Sequence, residues 1–419
     1  MLVDVVVQYA TISERELLNQ MPIVKPLPGM KDEDSKELLS RLDIEASLRG
    51  YLSVNGYKPI DTPMLEFTDL FLRKSGGALA SQMYTFLDPG NNRVSLRPEF
   101  TSSVIRYYLE KAASEPLPSK MQYSGPVFRY DPSTGSRQFH QTGAEMIGAS
   151  SCESDATIIN MAQNGLSLLG IKGAECVIGN MGVLHSILVD IGLSYRTREF
   201  LISNLPRLRQ DVREAAHIEK EAESMGLTRH DDYNSTETRL LGSITDDEYL
   251  ELLRHIYKDS LSDIKGNRTV DEILSRLIRK MKGGDNVESI SRALSLLSNL
   301  VGVREESSLA VSRLRLILRE HSLNEQALTP LVETLNILTS FDSSQPTILD
   351  ISLVRGISYY TGMVFEIYAD VDGVNRTFCG GGRYDGLVKA LGGCEDVPAL
   401  GFAYILENIL KSLETDQEV

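Results

Sequence analysis

Apolar positions along the first third of the chain recur at one spacing, break at proline and glycine, and resume at another. Residues 1–30 carry only a short apolar run, Leu2 to Val7, interrupted by Asp4, and lead irregularly to Pro26, Pro28 and Gly29. Asp34 followed three residues later by Glu37 is a capping-box signal, and Leu38, Leu42 and Ala46 behind it recur at helical spacing. The pattern ends at Asn55-Gly56. Residues 57–60 and 62–66 then read as extended chain, because Pro59 and Pro63 forbid helix there, and they suit an edge or interface strand.

From Arg93 to Gly148 the period shortens. Strand-like pieces at 94–96, 127–130 and 138–147 surround one helix at 101–112, the pattern of an antiparallel sheet carrying helices. Between about Gly182 and Leu328 long helical stretches take over, with Ile290, Leu294, Leu297 and Leu300 on one face. The last hundred residues return to strands at 347–351, at 363–369 and up to Phe378. A glycine triplet, Gly380 to Gly382, is read as opening a helix from Tyr384, and a strand-to-helix step follows at 400–410. The predicted fold class is α+β, an antiparallel sheet flanked by helices and closed by segments from both ends of the chain, with a mainly helical insertion. The predicted division is a leader at 1–30, a first part of the core at 31–180, the insertion at 181–327 and a second part of the core at 328–419. No internal repeat is visible.

Composition narrows the function classes. A length of 419 residues with 42% hydrophobic residues suffices for two or three domains. A net charge of −15 argues against a surface built mainly for nucleic acid, which draws on clustered Lys and Arg. Cys152, Cys176, Cys379 and Cys394 form no C-x-x-C pair, and the six histidines show no ligand spacing. No structural metal or disulfide framework is expected, and a reducing cytoplasm fits. No run reaches the roughly 18 apolar residues a spanning helix needs, so a soluble protein is expected.

Several short motifs carry candidate chemistry. Glu99 and Thr101, two residues apart at a strand-to-helix junction, can face one ligand such as an α-ammonium group, or serve as a helix cap and a surface carboxylate. Alternation along 138–147 and across the turn at 132–135 places Arg129, Gln141 and Glu145 on one face, with the arginine suited to phosphate or carboxylate. Glu145 sits among Gly143, Ala144 and Met146, where a carboxylate needs a partner: an imidazole N–H, or an ordinary ion pair. The triplet Gly380-Gly381-Gly382 lets backbone approach a ligand, or makes a tight hairpin or bulge. It is not a nucleotide-loop signature.

Together and in this order these pieces resemble the class II aminoacyl-tRNA synthetase core, and specifically that of histidyl-tRNA synthetase, from about Pro28 to Leu410. The most specific matches are Val354-Arg355-Gly356 with Tyr359-Tyr360-Thr361-Gly362, and the stretch from Gly380 to Leu387. The resemblance implies a histidine pocket in which Glu99, Thr101 and Gln141 hold the α-ammonium and Glu145 and Tyr360 the imidazole. Tyr384 would complete its wall and Arg355 would meet the carboxylate. The residue types match the donors and the single anion of histidine.

The half that activates histidine with ATP departs from the family. Asn408 stands where an arginine normally braces the ATP phosphates, and the turn between Arg129 and Arg137 is about two residues shorter and has lost an arginine. Phe100 replaces a usual glycine and Ser358 a usual aspartate. Arg129 and Arg137 remain as candidate nucleotide or phosphate contacts, and whether ATP or magnesium still binds is left open. Loss of one such positive group costs ~10²–10³ in rate, so no catalytic residue and no required cofactor is expected.

An anticodon-binding domain is not expected either, which with the acidic charge counts against tRNA. Such a core resembles the regulatory subunit of ATP phosphoribosyltransferase, the first enzyme of histidine biosynthesis. The resemblance implies a subunit without product of its own. It would assemble as a dimer, through the region of Tyr57 to Glu66, with a short-form catalytic subunit, and contribute to feedback inhibition by histidine. The alternatives are a divergent histidyl-tRNA synthetase or histidine-activating ATP-dependent ligase, and a stand-alone histidine sensor.

Overall fold

The computed structural model describes residues 24–74, 76–111, 116–132, 135–229, 284–341, 347–356 and 358–415. The leader at 1–23 and the middle of the predicted insertion, 230–283, lie outside them.

The first helix, α1 (Ser35–Val54), begins at the expected capping box: Asp34 Oδ1 accepts from the amides of Lys36 at 2.8 Å and Glu37 at 2.9 Å, and Glu37 reaches back to the Asp34 amide. Its buried face is not the stripe that marks the helical spacing. Arg41, Ile44, Leu48 and Leu52 turn inward, whereas Leu38, Leu42 and Ala46 are exposed. A charged residue at the start of the inward stripe hid it, and Arg41 is tolerated there because Glu33 pairs with its Nε at 2.7 Å. After Asn55 and Gly56, the latter at φ +84°, strand β1 (Lys58–Pro59) lies at the sheet edge, where proline withdraws no ladder donor.

The next three strands, β2 (Leu65–Phe67), β3 (Thr85–Leu87) and β4 (Arg93–Leu96), form a small antiparallel sheet in the order β2-β4-β3. Helix α2 (Thr101–Lys111) follows as predicted. The main sheet then takes β5 (Ser119–Phe128), β6 (Gln138–Ile147), β7 (Glu175–Asn180), β8 (Arg304–Glu306), β9 (Thr347–Asp350), β10 (Met363–Val371), β11 (Val374–Arg383) and β12 (Ala399–Ile405). With β1 it has nine strands, ordered β1-β5-β6-β12-β11-β10-β7-β9-β8. The six strands from β5 to β7 pair antiparallel, as expected, and parallel pairing enters only at β1 with β5 and at β7 with β9.

Two elements differ from the sequence reading. Strand β5 starts eight residues before the predicted 127, because Gly125 and Pro126, which look like a strand break, sit inside it opposite Gln141 and His140. The glycine triplet opens no helix. It continues β11, and the following helix is only Leu387–Ala390.

Helices α3 (Cys152–Leu168), α4 (Met181–Asp190), α5 (Val287–Leu300), α6 (Ser307–Glu320), α7 (Thr329–Ser340) and α8 (Leu406–Thr415) complete the frame. Ile290, Leu294, Leu297 and Leu300 of α5 are buried as their spacing requires. They belong to one apolar cluster with Leu184 of α4, Leu349 of β9 and Phe402 of β12, and β8 joins the main sheet directly. The described parts of 181–327 thus share a core with the sheet. A second, smaller cluster, with Phe100, Tyr123, Tyr359 and Tyr384, covers the other face of the middle strands.

Candidate functional site

That other face is paved largely with backbone. Pairing sets Glu145 of β6 opposite Gly401 of β12, which lies opposite Gly382 of β11. One row along, Tyr123 of β5 faces Gly143, then Ala403, then Gly380. Side chains alternate across a sheet, so these residues point the same way.

The missing side chains are seats for the polar groups above them. A Cβ on Gly401 would collide with the Glu145 carboxylate, and one on Gly380 with the Arg355 guanidinium. One on Gly382 would come within 3.0 Å of the Tyr360 ring. The open space that these glycines leave is filled by the protein's own side chains.

Glu145 is the centre of the site. It is buried, and Thr101 Oγ1 donates to its Oε1 at 2.7 Å and Tyr123 Oη to the same oxygen at 3.1 Å. Tyr384 Oη donates to Oε2. Thr101 comes from the first turn of α2, Tyr123 from β5 and Tyr384 from the chain just past β11, so three distant segments converge on one carboxylate. Burial raises its pKa from 4.5 to about 7, with Glu99 adding to the rise and the three hydroxyl donors opposing it.

The folded state therefore holds the Glu145 proton more tightly than the unfolded chain does. The stability this contributes is present below about pH 4.5 and lost as pH rises through about 7. Glu145→Gln keeps the shape without the charge. It is expected to melt higher than the parent at about pH 8, by up to ~3 kcal/mol, and to show no such gain near pH 4. Thermal melts across this range check it, and a pH-independent difference would contradict the assignment.

The other expected residues gather round this carboxylate to different degrees. Glu99 is buried and both its oxygens accept from the Ser102 amide, at 3.1 and 3.2 Å, so it caps α2 without being a surface residue. Gln141 lies four residues before Glu145 on the same face of β6, opposite Gly125 and Ile405. Tyr360 packs against Tyr359 at 4.9 Å between ring centroids, and Tyr359 against Tyr384 at 5.5 Å. Arg355 donates through Nη1 to the Phe365 carbonyl at 3.1 Å and stands 3.7 Å from Glu366.

Arg129 lies over the Phe139 ring, 4.9 Å from its centroid. Burial and the nearby Arg355 charge push its pKa down, with Glu99 pulling the other way. Arg137 is engaged elsewhere: it donates to the Pro28 carbonyl at 2.5 Å and to Tyr84 Oη at 2.9 Å, and stacks on Tyr130. Asn408 donates through Nδ2 to the Thr377 carbonyl at 2.8 Å.

Three features escaped sequence reasoning. Tyr123 was missed because β5 was read as starting after it. Glu407 accepts from the His140 amide at 2.8 Å and meets the His140 ring at 2.9 Å, a pairing 267 residues apart that no local pattern signals. Arg383, from the glycine-rich motif, reaches Asp155 of α3 at 2.7 Å, the Ala149 carbonyl at 2.7 Å and Asp385 at 3.0 Å.

A buried carboxylate under three hydroxyls, flanked by a second carboxylate and an arginine, suits a small molecule with hydrogen-bond donors at one end and an anion at the other. Known proteins resemble this chain over most of its length. A family model described as histidyl-tRNA synthetase matches residues 29–240 and 251–409. The chain is 32% identical over 388 residues to the histidine–tRNA ligase of Methanococcus vannielii, covering 92% of this chain and 75% of that protein. It is 32% identical over 394 residues to that of Prochlorococcus marinus, covering 92% and 72%. In structure it is similar to an ATP phosphoribosyltransferase regulatory subunit/histidyl-tRNA synthetase from Bacillus halodurans, with a TM-score of 0.63, 22% identity and coverage of 94% of this chain and 84% of that one. It is also similar to a histidine–tRNA ligase subunit from Alicyclobacillus acidocaldarius, with a TM-score of 0.59, 20% identity and coverage of 95% and 99%. At these identities the structural likeness shows the fold alone.

Proposed function

Because the chain belongs to the histidyl-tRNA synthetase family, we propose that it holds histidine in the Glu145 pocket and acts as a non-catalytic regulatory subunit of ATP phosphoribosyltransferase. It would assemble as a dimer with a short-form catalytic subunit, in the cytoplasm and without a cofactor. In this reading Glu145 and Tyr360 meet the imidazole and Glu99, Thr101 and Gln141 the α-ammonium. Tyr384 walls the pocket and Arg355 meets the carboxylate.

The observation that carries the reading is the contrast between two halves of one site. The pocket polar groups converge on Glu145, whereas Asn408, at the place of an ATP-bracing arginine, is neutral and tied to the Thr377 carbonyl. Arg137 is likewise occupied by Pro28 and Tyr84. A transferring phosphoryl group needs positioned positive charge, and this geometry supplies less of it. Feedback by histidine then requires that histidine bind two assembly states unequally.

A second reading, a histidine-activating ligase, is favoured by the names of the relatives at 32% identity. One pair of assays separates the two. Mixing the purified protein with a short-form ATP phosphoribosyltransferase is expected to give a complex whose activity is stimulated and then lowered by histidine. Histidine-dependent pyrophosphate–ATP exchange is expected to stay at background. No complex and no stimulation would sink the first reading, and robust exchange would establish the second.

A further inference from the structure

A column of stacked groups leads to Glu145 from Arg97, two residues before Glu99. Arg97 is buried and donates through Nε to the Pro126 carbonyl at 2.9 Å and through Nη1 to the Thr62 carbonyl at 2.6 Å. Its guanidinium lies 3.9 Å from the centroid of the Phe100 ring. Phe100 in turn stacks on Tyr123, with centroids 4.3 Å apart and planes 13° from parallel. The phenol end of Tyr123 lies against Gly143, where a Cβ would come within 2.5 Å of its Cζ and Oη. The Tyr123 hydroxyl, at the end of the column, donates to Glu145.

Each member fixes the next. Arg97 is held by two backbone carbonyls, Phe100 lies between the Arg97 guanidinium and the Tyr123 ring, and Tyr123 stacks on Phe100 with its phenol end close to Gly143. A phenol confined in this way has one direction in which its hydroxyl points. By the resemblance, Phe100 stands where a glycine is usual.

We propose that Phe100 is a positioning residue for the pocket, acting on Glu145 through the Tyr123 hydroxyl and thereby setting the affinity for histidine. The proposal rests on the reading of Glu145 as the imidazole contact. Phe100 touches no ligand in it. The groups acting on the carboxylate besides Tyr123 are Thr101 and Tyr384 as donors and Glu99 through its charge, and the Glu145 charge in turn raises the pKa of Tyr57, Tyr359 and Tyr360.

The test uses the full chain, with Phe100→Leu, Tyr123→Phe and the double variant, and Phe100→Met should the leucine variant not fold. Two readouts are taken: histidine affinity by calorimetry, and the titration of the Glu145 carboxyl by 13C NMR, assigned with Glu145→Gln. Phe100→Leu is expected to weaken histidine about tenfold, as loss of one hydrogen bond to a charged group does. In the Tyr123→Phe background it is expected to add less than about twofold, because the hydroxyl it acts through is gone.

Since a donated hydrogen bond favours the carboxylate, Phe100→Leu and Tyr123→Phe should both raise the titration midpoint, and the double variant no further than Tyr123→Phe. A Glu145 midpoint unchanged in Phe100→Leu, or effects that multiply in the double variant, would overturn the proposal. If the parent binds no histidine, the pocket reading fails while the carboxyl titration still decides whether Phe100 orients Tyr123.

Discussion

Glu145→Ala is expected to weaken histidine binding by about 100-fold or more, on the reading that this carboxylate receives the imidazole. A hydrogen bond to a charged partner contributes about 1.5–3 kcal/mol, which is roughly tenfold to more than 100-fold in affinity. Alanine also strips three donors of their acceptor, the hydroxyls of Thr101, Tyr123 and Tyr384, inside a buried site. These can turn toward one another or draw in water, and a ligand N–H then meets at best a neutral oxygen, a weaker acceptor than the carboxylate. Calorimetric titration with histidine measures the loss directly, and Glu145→Gln, in which the acceptor is kept but the charge removed, should fall between alanine and the parent. Undiminished affinity in Glu145→Ala would place histidine elsewhere.

Arg383→Ala is expected to cost about 3–5 kcal/mol of stability, because removing one partner of a buried pair leaves the other charge uncompensated. Arg383 leaves β11 at its last residue and lies 2.7 Å from Asp155 Oδ1 through Nη2 and 2.9 Å through Nε. It also donates to Ala149 and Asp385, and Asp385 accepts from the Ala399 amide at 3.0 Å. One guanidinium thus ties α3, the end of β6 and the start of β12 to the motif that carries Tyr384. Even with this partner, burial raises the Asp155 pKa from 3.8 to about 6. Without Arg383 the carboxyl is pushed further up. Denaturant unfolding of the variant measures the cost, and Asp155→Asn combined with Arg383→Met should recover most of it. A loss below about 1 kcal/mol would mean that water substitutes for the guanidinium.

Much of this architecture is legible from residue patterns, and the misses have physical causes. The capping box of α1, the extent of β6 and the apolar stripe of α5 follow from local spacing, since each is decided by groups within a few turns. The inward face of α1 does not, because Arg41 enters the core only by pairing with Glu33. The extent of β5 does not, because Gly125 and Pro126 resemble a break until Gln141 and His140 are placed opposite them. At the site, residue types could be nominated from motifs, but Tyr123 could not. Its place depends on pairing with Gly143 and on the stack with Phe100, contacts that strand register creates. The glycine triplet reads in sequence as permissive backbone, and what it admits, the Arg355 guanidinium and the Tyr360 ring, is set by tertiary packing.

The row of glycines across β6, β12 and β11 bears on how the pocket can be re-engineered. Binding sites are commonly widened by trimming the side chains that line them, but a floor made of bare main chain offers nothing to trim. Neither can it be raised without displacing Glu145, Arg355 or Tyr360. If the site holds histidine as proposed, a library seeking variants that accept a bulkier heterocycle is best directed at Tyr360, Tyr384 and Thr101, with Gly143, Gly380, Gly382 and Gly401 left untouched.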